Sequence, residues 1–139
     1  MRTGIAALAA VVAVAFAGCG SDDEDYKNDP RPPAPIVLTA SISKDKVSVS
    51  PKEFGAGPVS LIITNQTGAP QTVTFESAAG GKGAFSQQTS PINPSDTATV
   101  KADVPEGAVV VKVGGGAIKA ANLTVGPERA SSQDQLLLP

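Results

Sequence analysis

The sequence predicts an all-β domain over residues 36–126, built as an antiparallel Greek-key β-sandwich of roughly eight short strands. From Ile36 onward, apolar and polar residues alternate in short runs that are separated by turn-forming residues, and no run shows the 3.6-residue period of a helix. The composition agrees with this pattern. Hydrophobic residues make up 41% of the chain but aromatic residues only 4%, so the core must consist largely of Val, Ile, Leu and Ala.

The individual strands are predicted from alternation and from the turns between them. Val73 and Phe75 share one face of their run, and Val100 and Val104 share one face of theirs. Polar clusters at Lys44-Asp45 and at residues 65–68 indicate turns. The predicted strands cover residues 37–42, 46–50, 59–64, 71–76, 85–89, 97–104, 109–113 and 123–125, of which residues 85–89 form the weakest candidate.

The N-terminal segment has the three-part layout of a secretory signal, with Arg2 followed by an uncharged apolar run over residues 5–16. The run closes in Phe16-Ala17-Gly18-Cys19, which resembles the lipobox of bacterial lipoproteins. The resemblance implies that residues 1–18 are a signal peptide cleaved between Gly18 and Cys19, and that the Cys19 sulfur is lipidated. An uncleaved anchor would need about 20 apolar residues, and ordinary secretion with a free thiol is the other alternative.

Lipidation of Cys19 would attach the protein to the membrane by its acyl chains, typically palmitate. Each buried methylene contributes about 0.8 kcal/mol, so two or more chains hold stably. We therefore expect a lipid-anchored protein on the extracytoplasmic side of the cell membrane. Residues 19–35 are acidic and proline-rich, which predicts an extended tether of up to about 50 Å. The acidic run Asp22–Asp25 could instead bind Ca²⁺, but it lacks the glycine and distal glutamate of an EF-hand loop.

Charge and residue usage exclude several classes of function. Residues 36–126 contain seven lysines and six acidic residues with no basic stripe, so a nucleic-acid partner is not expected. The single cysteine cannot form an internal disulfide. Histidine, the commonest metal ligand and general base, is absent. We therefore predict that the protein is not an enzyme.

Several segments in order resemble cupredoxins, over about residues 42–126. Pro94-Ser95-Asp96 is similar to the turn before a family strand, and Val104-Pro105-Glu106-Gly107 to the turn that opens the penultimate strand. Residues 50–54, with 57–59 leading into Thr64-Asn65, are similar to the second and third strands, and residues 122–125 resemble the closing strand. The resemblance implies the cupredoxin β-sandwich.

The copper ligands of that family are missing from this sequence. Gln71 stands where cupredoxins place a histidine, and residues 114–119 stand where they place the cysteine, the second histidine and the methionine. A blue-copper centre needs two imidazoles and a thiolate. We therefore predict a domain with no metal and no other cofactor.

Other motifs are better explained as structure than as chemistry. Ser41-Ile42-Ser43-Lys44 matches S-x-x-K, but in a strand residues three apart point to opposite faces. Residues 80–83 lack the full phosphate-loop pattern and predict a mobile loop. Residues 114–116, three glycines, indicate either a slack turn or a close approach to a ligand.

The predicted function is that of a membrane-anchored lipoprotein presenting a metal-free binding domain to an envelope protein or a polymer. A small-ligand carrier is the alternative, and an enzyme with a non-histidine site is a further one. Residues 127–139 predict a flexible tail because of their polar composition, although Leu136–Leu138 could cover a sheet edge or contact a partner.

Overall fold

The computed structural model describes residues 30–79 and 83–133, and these residues contain eight strands and no helix. The predicted all-β sandwich is thereby confirmed. Among the residues described, no helix has the length and hydrophobicity of a membrane span. The strands are β1 (Ile36–Ile42), β2 (Val47–Ser50), β3 (Glu53–Asn65), β4 (Val73–Ser77), β5 (Ser86–Gln88), β6 (Thr97–Val104), β7 (Gly107–Val113) and β8 (Ala121–Glu128).

The long strand β3 belongs to both sheets of the sandwich. Its first residues, Glu53 to Ala56, pair with β8, in the sheet with strand order β3-β8-β7-β4-β5. Its remainder, from Gly57 onward, pairs with β6 on one side and, from Val59, with β1 on the other, in the sheet β2-β1-β3-β6. The strand changes sheets next to a register irregularity between Gly55 and Ala56. A bulge of this kind bends the strand that carries it, which allows one strand to take part in both sheets.

The corner of β3 requires glycine at position 57. The backbone of Gly57 has φ of +124°, in the region that residues with a Cβ atom rarely occupy. A Cβ atom there would also lie 2.9 Å from Nη2 of Arg129. The predicted strand begins at residue 59, whereas β3 in the structure already includes Gly57 and Pro58.

The expectation of purely antiparallel pairing needs correction in two places. β1 and β3 are parallel, with Ile36 opposite Val59 and Ile42 opposite Asn65. β3 and β8 are also parallel over their short paired region. Alternation along a strand shows which side chains face the core but not the direction of the neighbouring strand, so the sequence pattern could not reveal this. After β2 the chain enters the second sheet, where the first residues of β3 pair with β8. β3 then crosses to the first sheet and lies beside β1, running in the same direction as β1.

The core fills the space between the sheets with the inward residues of the alternating strands. Phe75 is fully buried on β4, and its ring meets the ring of Phe85 edge to face, with centroids 5.0 Å apart. Leu38, Leu61 and Val111 are likewise inaccessible to solvent. The predicted inward positions Val73, Phe75, Val100 and Val104 are all buried.

The residues that follow β8 are attached to the domain. Nε of Arg129 donates a hydrogen bond to the Ala56 carbonyl at 3.2 Å, and Nη2 donates one to the Pro58 carbonyl at 2.6 Å. The Ser131 hydroxyl donates to the Arg31 carbonyl at 2.7 Å, so the segment before β1 and the segment after β8 are joined. β8 itself extends to Glu128, two residues beyond the predicted end of the domain at 126.

Arg129 is expected to stabilise the corner of β3. Replacing Arg129 by methionine should lower the free energy of unfolding by about 2 kcal/mol, because the carbonyls of Ala56 and Pro58 lose charge-assisted hydrogen bonds. Chemical denaturation of the two proteins measures this difference. Arg31→Met is the matched control, since the bonds made by Arg31 come from its backbone. Equal stability of the Arg129 variant and wild type would show that the contact does not support the fold.

Candidate functional site

Several residues singled out in the sequence lie outside the part of the chain that the structure describes. They are Gly18 and Cys19 of the lipobox, Gly80, Gly81 and Lys82 of the predicted mobile loop, and Leu136–Leu138. The lipidation of Cys19 therefore remains a prediction. The residues that the resemblance places around a metal, Gln71 and the segment 114–119, are described.

The register of the strands places the connecting loops at two opposite ends of the sandwich. Ile36 begins β1 at one end beside Val59, and Ile42 finishes it at the other end beside Asn65. Val73, which opens β4, pairs with Val113, which closes β7. Gln66 N–H donates to the Ile42 carbonyl at 2.9 Å, and Gly114 N–H donates to the Thr72 carbonyl at 3.0 Å. We call this end, with loops 43–46, 66–72 and 114–120, the loop end.

Asn65 holds the loop that follows β3. Its side chain is fully buried, and its amide nitrogen donates to the carbonyls of Ala69 and Ile92, each at 2.8 Å. Its amide oxygen accepts from Thr67, from the backbone N–H at 2.9 Å and from the hydroxyl at 2.7 Å. Both halves of the amide are thus satisfied, as burial of a polar group requires. The predicted turn at residues 65–68 is built on this one side chain.

Gln71 and the glycine segment are brought together at the loop end. Gln71 and Ile92 exchange backbone hydrogen bonds of 3.0 and 2.8 Å, and the Gln71 side-chain amide donates to the Thr67 hydroxyl at 3.3 Å. The Gly114 N–H donates a hydrogen bond to the carbonyl of Thr72, the residue next to Gln71. Gly115 and Gly116 have φ angles of +87° and +70°, which a tight turn explains without any ligand.

The side chains at this position do not fit a blue-copper centre. Copper in that geometry needs two imidazoles and a thiolate, whereas the chain has no histidine and its one cysteine is Cys19. Within residues 30–79 and 83–133, no three metal-ligating side chains form a group that could hold an ion. The Gln71 amide is instead engaged with Thr67. The loop end can present backbone and amide groups to a partner, but it lacks the donor set of a cupredoxin metal.

An ion pair crosses from β4 to β7. Glu76 accepts a hydrogen bond from the Lys112 ammonium group, and the Ser86 hydroxyl donates to the same carboxylate at 3.4 Å. The hydrogen bond from Lys112 lowers the pKa of Glu76 below its ordinary value of 4.5, with smaller contributions from the Lys112 charge and from Ser86.

The Glu76 pair gives a defined pH dependence. Because the pKa of Glu76 is lowered in the folded state, its contribution to stability is complete above the ordinary value of 4.5 and is lost as the pH falls through the folded-state pKa. Glu76→Gln should therefore be less stable than wild type at pH 7, and the difference should shrink in more acidic solution. Denaturation midpoints measured across that range test it. A difference that is independent of pH would contradict this role.

A cleft that the sequence did not indicate lies between β2 and β8. Its volume is about 330 Å³, and Lys46, Lys52 and Lys119 line it, together with residues of the two strands. Lys119 is distant in the sequence from Lys46 and Lys52, and its parallel bridge with Lys46 brings it to the same cleft. No local sequence pattern contains all three lysines, so the sequence alone does not indicate this cleft.

Comparison with known proteins supports the fold. No family model matches the chain, and no curated protein matches it either. Among solved structures, auracyanin A, described as a "blue" copper protein from Chloroflexus aurantiacus, superposes with a TM-score of 0.53 at 12% identity, covering 67% of this chain and all of auracyanin A. Auracyanin B superposes with the same TM-score at 16% identity, covering 68% of this chain and 91% of its own. The described domain therefore has a cupredoxin-like β-sandwich fold.

Proposed function

We propose that this protein is a lipid-anchored bacterial lipoprotein that presents a metal-free, cupredoxin-like domain as a non-catalytic binding module on the extracytoplasmic face of the cell membrane. The lipobox resemblance at Phe16-Ala17-Gly18-Cys19 supports the anchor. The replacement of the expected ligands by Gln71 and by residues 114–119 supports a role without copper.

One observation on the domain carries the presenting role. The tether enters at Ile36, and the register with Val59 puts that residue at the end of the sandwich opposite the loop end. A chain anchored at Cys19 would therefore hold the loop that contains Gln71 and the glycine turn away from the membrane. Loops on a rigid scaffold are the usual place for binding residues.

The packing of the core favours a surface binding module over a carrier of small molecules. Fully buried side chains such as Leu38, Leu61 and Phe75 fill the space between the sheets. Five clefts on the described residues have volumes of about 220 to 440 Å³ and lie along strand edges and loops. A carrier would instead enclose its ligand in a pocket between the sheets. We therefore favour an envelope protein or polymer as the partner.

The anchor is tested by the intact mass of the protein recovered from bacterial membranes. We expect a polypeptide that begins at Cys19 and carries the added mass of acyl chains. Cys19→Ser should give an unacylated protein that is no longer processed at this position, whereas the neighbouring control Ser21→Ala should be processed and acylated as wild type. A wild-type polypeptide that begins at Met1, or one without acyl mass, would overturn the anchor.

The binding role is tested by crosslinking in native membranes. A reproducible envelope partner should crosslink to the wild-type protein through the loop end, for example through a photoreactive residue at Gln66, which is exposed. The same photoreactive residue at Val37, near the tether and 57% exposed, is the control position. Equal crosslinking from both positions, or none from Gln66, would contradict presentation through the loop end.

A further inference from the structure

The cleft between β2 and β8 is a seam at which the edges of the two sheets meet. β2 is the edge strand of one sheet, and the beginning of β8 lies beside it in the other. The two strands are joined above and below the cleft. Val47 N–H donates to the Lys119 carbonyl at 2.8 Å, and Thr124 N–H donates to the Lys52 carbonyl at 2.9 Å. Between these two bonds the strands separate, and we call the opening the lysine slot.

Backbone donors and acceptors both face into the lysine slot, because the N–H and the C=O of one strand residue point to the same edge. Because N–H groups alternate between the two edges of a strand, Val49, two residues after Val47, directs its N–H toward β8. By the same alternation, Asn122, two residues before Thr124, directs its N–H toward β2. The floor is apolar, since Val47 and Val49 are buried. The rim adds the hydroxyl of Ser48 and the side-chain amide of Asn122.

The charge of the lysine slot is wholly positive. Lys46 and Lys119 lie at one end and Lys52 at the other, separated by β2, which spans about 13 Å. No aspartate or glutamate is among the residues that line it. In the described part of the chain, none of the three ammonium groups has an ion-pair partner, whereas Lys112 is paired with Glu76. This concentration of charge stands out in a domain whose total charge is nearly balanced.

We propose that the lysine slot binds a linear chain of phosphate groups. Lysine ammonium groups bind phosphate as point charges. The N–H groups that face the slot and the Ser48 hydroxyl at its rim supply further donors for the acceptor oxygens of phosphate. Charges at both ends of a narrow opening favour a ligand with successive anionic groups over a single ion. This inference goes beyond the proposed function, because it assigns a class of ligand to the seam between β2 and β8 and does not depend on the anchor. Two of the lysines, Lys46 and Lys119, belong to loops of the loop end.

The test uses the full-length protein in non-ionic detergent and fluorescently labelled inorganic polyphosphate. The logarithm of the binding constant should fall linearly with the logarithm of the salt concentration. The slope should be about −2 for three phosphate contacts to a flexible chain. Lys46→Gln, Lys52→Gln and Lys119→Gln should each weaken binding about five-fold, and the triple variant should abolish it. The control Lys101→Gln removes an exposed lysine of β6 outside the slot and should bind as wild type.

Three other results of this experiment would contradict the proposal. Loss of binding in Lys101→Gln equal to that in Lys119→Gln would show general attraction and overturn it. Equal affinity for polyglutamate of the same charge would overturn the assignment to phosphate. Binding to vesicles of anionic phospholipid without binding to polyphosphate would assign the slot to a membrane surface instead. Unchanged thermal unfolding of the variants, expected because these side chains are exposed, confirms that any loss comes from the slot.

Discussion

Replacing Phe75 by alanine is expected to lower the free energy of unfolding by about 4 kcal/mol. The side chain is fully buried on β4, and its ring packs edge to face against Phe85. The substitution removes the transfer energy of a large aromatic group and leaves a cavity in a core that has few other aromatic residues. Domains of this size are stable by only about 5–15 kcal/mol, so the variant should be close to unfolding at physiological temperature.

Denaturant titration of wild type and Phe75→Ala measures this effect. Phe85→Ala is the informative control, because it removes the same ring contact from a half-buried position. It should therefore cost less than half as much. Phe75→Leu, which retains much of the buried volume, should also be milder than Phe75→Ala. If Phe75→Ala and Phe85→Ala destabilised the domain equally, the placement of Phe75 at the centre of the core would be wrong.

Replacing Asn65 by alanine is expected to lower the free energy of unfolding by about 3 kcal/mol. The substitution removes four hydrogen bonds made by one buried amide, two to carbonyl oxygens and two to Thr67. The buried N–H of Thr67 is then left without its acceptor. An unsatisfied buried donor lowers the stability of the folded state by the free energy needed to remove that group from water. The loop from residue 66 to Gln71 should become mobile. The Asn65 side chain holds this loop through its hydrogen bond to the Ala69 carbonyl and is itself fixed by its hydrogen bond to the Ile92 carbonyl.

Hydrogen exchange of the Thr67 amide and the equilibrium unfolding of Asn65→Ala test this prediction together. Asn93→Ala is the matched control, because Asn93 is exposed and its side chain makes one hydrogen bond, to Asp96 at 3.2 Å. The control should change stability by less than about 1 kcal/mol. Undiminished protection of the Thr67 amide in Asn65→Ala would contradict the role assigned to Asn65.

Alternation along the chain was sufficient to locate part of every strand and to predict which faces are buried. In β4 and β6, side chains that follow one another point to opposite faces, and the predicted inward residues Val73, Phe75, Val100 and Val104 are buried in the structure. The pattern carries no information on strand direction, so the parallel pairing of β1 with β3 was not foreseen. The continuation of β3 through Gly57 and Pro58 was also missed, because both residues usually end a strand.

The sequence could predict only those parts of the candidate site that correspond to individual positions along the chain, and not those that depend on contacts between distant residues. Gln71 and residues 114–119 were singled out because the resemblance to cupredoxins implies metal ligands at these positions. The hydrogen bond from the Gly114 N–H to the Thr72 carbonyl brings the two segments together. The central role of Asn65 could not be read from the sequence, where it is one polar residue in a turn. The lysine slot depends on the pairing of residue 46 with residue 119, which no local spacing encodes.

The central claim is that a cupredoxin-like fold is kept here without the copper chemistry of that fold, and metal analysis tests it most directly. The full-length protein and Cys19→Ser, both produced in copper-supplemented cells, would be analysed for metal content and for visible absorption. We predict less than stoichiometric copper in both and a thermal unfolding temperature that a chelator does not change. One tightly bound copper per chain in Cys19→Ser, lost together with thermal stability on chelation, would contradict the account.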